Sequence, residues 1–380
     1  MVTGFEVSPG ALDAYARLIA RGGSGSVASL YLNQAESYRA QYVKLPADAG
    51  GEIFHQIVDE TRQISDALRV AHLKVNDVLV AGADNLAASA DTYRTTDHGV
   101  AQRLDAKYQP FGVVVPPYSN LLEGDAPADP AAVLRPPAGG DDDSNLAEEI
   151  LSYIGIASVG GVVMKVLDVF DLHPEDWVTE RFFGNADEVA RTGHALAQVA
   201  RFDVACGKVL AQGLETMTGQ WTGHAASAAM DWFATVPDGL QDRSNTLNRL
   251  AELYDQFHTF LKWAADEIGD LMGDAIDKAV QVASALGAAG CLGSIPVVNV
   301  IIGIVGATTA YRLYRAIQAV YEFWDKVHTL LETNLAAFSL IRVEIASWSA
   351  GALHLPRGTY HNGSQTTVAL TPTTVPRNVR

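Results

Sequence analysis

The chain has 380 residues and a formal net charge of -17, from 27 basic and 44 acidic side chains. That length allows two or three domains and a sizeable core. The charge argues against nucleic acid as a partner, because phosphate binding needs clustered Lys and Arg, and it disfavours docking on an anionic membrane surface. Cys206 and Cys291 are too few for a disulfide framework, and neither has the spacing of a zinc ligand. The start, Met1-Val2-Thr3-Gly4-Phe5-Glu6, has neither the basic region nor the apolar core of a secretory signal peptide, so synthesis in the cytoplasm without one is expected.

Ser8-Pro9 predicts a helix start, a capping hydroxyl followed by proline at the first helical position. Leu12, Tyr15, Leu18 and Ile19 make its buried stripe. Arg21-Gly22-Gly23-Ser24-Gly25-Ser26 lacks the Lys-Ser/Thr and the preceding strand of a phosphate loop and reads as a flexible break. Helix resumes through Tyr31, Tyr38 and Tyr42 until Pro46. A second helix is predicted over 52–107, with Ile53, Ile57, Ile64, Leu68, Val75, Val78, Leu86, Ala90, Tyr93, Val100 and Leu104 on one face. Such a face needs an antiparallel neighbour to bury against.

That helix ends in Leu86-Ala87-Ala88-Ser89-Ala90-Asp91-Thr92-Tyr93-Arg94-Thr95-Thr96-Asp97. Positions i and i+4 share a helical face, so a receptor groove would meet the Tyr93 ring and the Asp97 carboxylate together. Most of residues 1–108, from the Val7-Ser8-Pro9 start to this small-residue run and its Tyr-x-x-x-Asp, resembles the EspC-like, ESX secretion-associated proteins. The resemblance implies that Tyr93 and Asp97 are an export signal read by a type VII secretion ATPase. The bland alternative is that Tyr93 continues the core stripe and Asp97 is a solvated acid.

Residues 109–145, with Pro116-Pro117, Pro136-Pro137, Gly139-Gly140 and Asp141-Asp142-Asp143, read as a linker. An apolar helix is predicted over 146–170, followed by an aromatic-rich turn in which Trp177, Phe182 and Phe183 close the end of a bundle. Two long amphipathic segments, 186–217 and 225–276, then flank Gln220-Trp221-Thr222-Gly223. Two helices on a short connection must fold back to bury their faces. Gly223 lets the chain turn, and Trp221 can bury its ring where the helices part. This arrangement resembles the WXG-type helical hairpins of type VII (ESX) secretion systems, and the lead-in resembles that of larger actinobacterial WXG-containing proteins. Pro237 departs from the pattern, and with Gly239 it predicts a bend or split at 236–240.

No charge occurs between Lys278 and Arg312. Pro296 divides this stretch into two apolar halves, expected either to pack on the bundle as a helical pair or to enter a membrane. An amphipathic helix over 311–350 carries Leu313, Ile317, Val320, Trp324, Val327, Leu331 and Phe338 and should pack back along the bundle. Residues 351–380 are expected to form a disordered tail. No Gly-x-Ser-x-Gly or His-Glu-x-x-His is present, and Asp266, Asp270, Asp274 and Asp277 read as a solvated face. No catalytic, cofactor-binding or metal-binding residues are therefore expected.

The whole reads as an all-α protein with two helical modules, 1–108 and 146–278, joined by the linker and followed by helices over 279–350. The resemblances imply a non-enzymatic substrate or structural component of a type VII secretion system, secreted or at the cell surface. Its expected partners are the secretion ATPase and a small WXG-type helical partner or chaperone, with self-association or pairing of the two modules within the chain as alternatives. The other function classes are a membrane-active effector that inserts 279–311 and an enzyme with a site that no motif announces, which a deep pocket with convergent polar groups would reveal.

Overall fold

The computed structural model describes residues 6–46, 50–96, 99–100, 103, 129–138, 145–288 and 298–351. They are almost wholly helical. The helices are α1 (Pro9–Ala16), α2 (Val27–Leu30), α3 (Glu36–Tyr42), α4 (Glu52–Thr95), α5 (Leu146–Tyr153), α6 (Gly161–Asp168), α7 (Pro174–Phe182), α8 (Ala186–Thr218), α9 (His224–Ala288), α10 (Val298–Val305) and α11 (Ala307–Gly351). Wider π-helical turns, Arg17–Arg21 and Tyr31–Ala35, join the short helices near the N-terminus. The described strands are two residues each, β1 (Glu6–Val7) and β2 (Trp221–Thr222), paired antiparallel.

Helix α8 starts where the Asn185 side chain accepts hydrogen bonds from the backbone N–H groups of Asp187 and Glu188, satisfying donors that the helix leaves open. Its apolar stripe and that of α9 face each other along an antiparallel hairpin. Helix α11 returns along α9 and also packs on α4. One core holds Ile57, Ile64 and Leu68 of α4 with Leu196, Tyr254, Phe257, Trp324 and Phe338. A second holds Leu12, Tyr31, Val75 and Leu86 with Phe202, Leu210, Trp221 and Phe233. Both modules thus contribute to both cores and pair within the chain. Polar contacts tie them further: the Thr61 and Tyr254 hydroxyls lie 2.7 Å apart, and Arg342 Nε donates to Glu60 Oε1 at 2.8 Å.

Several expectations are corrected. Helix α4 ends at Thr95, because Thr96 adopts an extended conformation (φ −104°, ψ 132°). Val100, placed on its stripe, is exposed. Residues 146–170 form two helices rather than one, since Gly155 takes a left-handed conformation (φ 62°) that ends α5. Phe183 does not close the bundle end; it is exposed, while Trp177 and Phe182 pack with Trp324. Helix α9 runs unbroken through Pro237, because Phe233, Val236 and Leu240 stay buried on both sides and hold the helix across the missing hydrogen bond. It also continues past Lys278 to Ala288, so the apolar stretch begins as the end of α9 and is followed by the short α10. Val282, Leu286 and Ile301 are buried in the core, and no described helix is long and apolar enough to cross a membrane. The Ser8 hydroxyl makes no cap, although α1 does start at Pro9. Cys291 and the tail beyond residue 351 lie outside the described residues.

Candidate functional site

The turn between α8 and α9 forms one end of the bundle, and three parts of the chain meet there. Gln220 N–H closes the end of α8 by donating to the Met217 carbonyl at 2.9 Å. Gly223 takes φ 124°, a conformation that favours glycine, and delivers the chain into α9 at His224. The N-terminal segment clamps this turn: Glu6 pairs with Thr222 and Val7 with Trp221, and Ser8 N–H donates to the Gln220 carbonyl at 2.9 Å. Trp221 is only 4% exposed. The ring of Tyr93, from the last turn of α4, meets it edge to face, with centroids 6.2 Å apart at 72°. Beside it Arg94 bonds to Asp13 of α1 and, at 2.9 Å, to Asp91.

Of the four residues singled out by motif, this end therefore brings Tyr93, Trp221 and Gly223 together. Asp97 lies outside the described residues. The shared helical face expected for Tyr93 and Asp97 would need helix through 97, and α4 stops two residues short. Tyr93 is half-buried, so its ring is at once a packing residue and part of the surface at this end.

A second polar cluster lies inside the bundle. The Tyr31 hydroxyl donates to Asp203 Oδ1 at 2.8 Å, and Arg243 Nε lies 2.8 Å from Asp203 Oδ2. Asp203 and Arg243 are 0% and 2% exposed. The guanidinium also sits over the Tyr31 ring, 5.5 Å from its centroid. On the other side of that ring cluster, His72 Nδ1 is 3.4 Å from Glu36 Oε2, Glu36 pairs with Arg39, and Arg39 donates to Ser65 Oγ at 2.6 Å. Burial raises Asp203 to about 6, against the pull of Arg243 and the Tyr31 bond. Burial lowers His72 to about 4, with Arg243 adding to it and Glu36 opposing. Burial would raise Glu36, but the bonds from His72 and Arg39 outweigh it and hold the carboxyl at about 2. At neutral pH two guanidinium groups thus face two carboxylates across a neutral imidazole.

These polar residues were missed, although a signal exists. Asp203 falls between Val199 and Cys206, His72 between Leu68 and Val75, and Arg243 between Leu240 and Leu247, each at stripe spacing. A polar side chain on an apolar stripe must be buried with a partner. Tyr31, His72, Asp203 and Arg243 are closed to solvent, and the cluster reaches the surface only at Glu36 and Arg39. A groove of about 360 Å³, lined by Leu18, Val27, Leu30, Pro130, Val209 and Thr216, has no titratable group on its wall. Among the described residues no group of His, Cys, Asp or Glu is placed to hold a metal ion. No protein-family model matches the chain, and no curated protein or solved structure matches it either.

Proposed function

We propose that the chain is a non-enzymatic substrate or structural component of a type VII secretion system, recognised at the bundle end that carries Tyr93. The observation that carries this reading is the packing of Tyr93 on Trp221. Two residues selected by separate motifs, more than a hundred positions apart, meet at one end of the bundle, with Tyr93 half-exposed over the buried Trp221. On this reading the secretion ATPase contacts both the Tyr93 ring and the Asp97 carboxylate. Trp221, Gly223 and the β1–β2 clamp hold the surface in shape. The second hairpin takes the place of a separately encoded helical partner, because it already covers the apolar faces of α1 and α4. The protein then leaves the cell as a folded bundle.

Binding of the purified chain to the soluble motor domains of a type VII secretion ATPase tests this. Wild type and Tyr93→Phe should bind, and Asp97→Ala should bind at least about tenfold more weakly, the loss of one charged hot-spot contact. Equal binding by wild type and Asp97→Ala, or no binding by either, would remove the motif from the account.

A further inference from the structure

The two hairpins bury aliphatic and aromatic side chains against one another, and the aliphatic part of such stripes repeats with every turn. Along α8 the stripe reads Leu196, Val199, Phe202, Cys206, Leu210 and Leu214. Sliding the first hairpin by one helical turn, about 5.4 Å, would exchange aliphatic contacts for others of similar size, although Gly82 against Trp232 and Phe233, and Gly213 against Tyr15 and Leu18, would lose their fitted neighbours. Aliphatic packing therefore discriminates weakly between registers, since cores tolerate swaps that conserve volume.

Asp203 and Arg243 interrupt that repetition. From α8 and α9 they converge on one buried point, and Tyr31 meets them with its hydroxyl and its ring face. Tyr31 opens the π-helical turn Tyr31–Ala35, where the widened backbone leaves the regular helical progression. His72 of α4 packs on the same ring, with centroids 5.8 Å apart, and Glu36 and Arg39 of α3 hold His72 in turn. Every element at this joint contributes a polar group to it.

We propose that Tyr31, Asp203 and Arg243 form a selectivity key that admits one pairing of the two hairpins, the one that sets the Tyr31 hydroxyl on the Asp203 carboxylate. In a shifted register the ion pair would face Leu or Val, and the phenol would be buried against aliphatic carbon. The desolvation of three polar groups would remain while the bond between hairpins was lost, so misaligned pairings are penalised. Apolar residues of matching volume would pack there and would discriminate less. The key concerns the joint alone and is independent of what reads the Tyr93 end.

The test uses the full chain with Tyr31→Phe, Asp203→Leu and Arg243→Met combined, beside Asp203→Leu alone. Thermal melting reports stability. Hydrogen exchange of α4 and α8, with size-exclusion chromatography, reports arrangement. The single variant should melt far below wild type, because Arg243 loses its carboxylate inside the core. The triple variant should melt close to wild type, yet exchange about tenfold faster across the joint and show a second, exchanged species. Wild-type exchange and a single species in the triple variant would show that the remaining contacts, apolar packing with the Thr61–Tyr254 and Tyr15–Leu210 bonds, set the register without the key. A triple variant that melts as low as the single one would make the cluster a stabilising contact without a selective role. Either result overturns the proposal.

Discussion

Asp203→Asn and His72→Gln should tilt the pH dependence of stability in opposite directions. In the folded chain Asp203 titrates at about 6 against an ordinary 3.8, so the folded state holds the extra proton between those values. Its contribution to stability is full below 3.8 and is lost as pH rises through 6. His72 titrates at about 4 against an ordinary 6.5, so the unfolded state holds the extra proton. Its contribution is full above 6.5 and is lost as pH falls through 4. Both groups are buried throughout, so solvent does not screen the effect. Between about pH 5 and 6.5 each state difference averages well over half a proton, and at about 1.4 kcal/mol per proton per pH unit each group contributes between about 1 and 2 kcal/mol. The two slopes nearly cancel in wild type. Urea unfolding at several pH values across this window reads the difference from wild type. Asn resembles the protonated carboxyl, so Asp203→Asn should lie nearest its wild-type offset at the bottom of the window and should gain between about 1 and 2 kcal/mol relative to wild type from the bottom of the window to the top. His72→Gln should lose a similar amount over the same range. If both variants run parallel to wild type, the buried groups do not titrate as described and the electrostatic account of the joint fails.

Other predictions follow from single contacts. Gly193→Ala would place a Cβ 2.7 Å from Tyr254 Cβ, where α8 and α9 lie close together, and should lower stability by about 1–3 kcal/mol in urea unfolding; an unchanged midpoint would contradict that close approach. Tyr254→Phe removes the buried bond to Thr61 and should cost about 1–2 kcal/mol, whereas Thr61→Val combined with it should cost less than the sum of the two single changes. Trp221→Ala should cost about 3–5 kcal/mol and speed hydrogen exchange at residues 6–8, because the core under β1 loses its buried indole and Tyr93 loses its ring contact. Wild-type exchange there would show that the clamp stands without the indole.

The long helices were legible because their apolar residues keep a three-and-four spacing over many turns. The stripes of α8, α9 and α11 are buried largely as their periodicity requires, from Val189 to Leu214, from Phe233 to Ile276 and from Leu313 to Phe338. Helix ends were less legible. Val100 and Leu104 continue the period of α4 although its helix stops at Thr95, since apolar spacing does not record where the backbone turns extended. Pro237 does not split α9, because tertiary packing outweighs one missing hydrogen bond. At the bundle end, motif and turn chemistry picked out Tyr93, Trp221 and Gly223 separately, but nothing in their spacing announced that they meet. The clamp by Glu6–Val7 is two residues long and has no periodicity to read. The Tyr31–Asp203–Arg243 cluster was visible only as polar residues out of place on apolar stripes.

Export itself is the most direct measurement. Wild type, Asp97→Ala and Tyr93→Phe would be expressed in a host with a working type VII system and in the same host without its secretion ATPase, and the culture medium compared with the cell fraction. The account predicts that wild type and Tyr93→Phe reach the medium only when the ATPase is present, while Asp97→Ala accumulates folded inside the cells. Export of Asp97→Ala at the wild-type level, or retention of wild type in every host, would contradict it and leave Tyr93 as a packing residue of the bundle end.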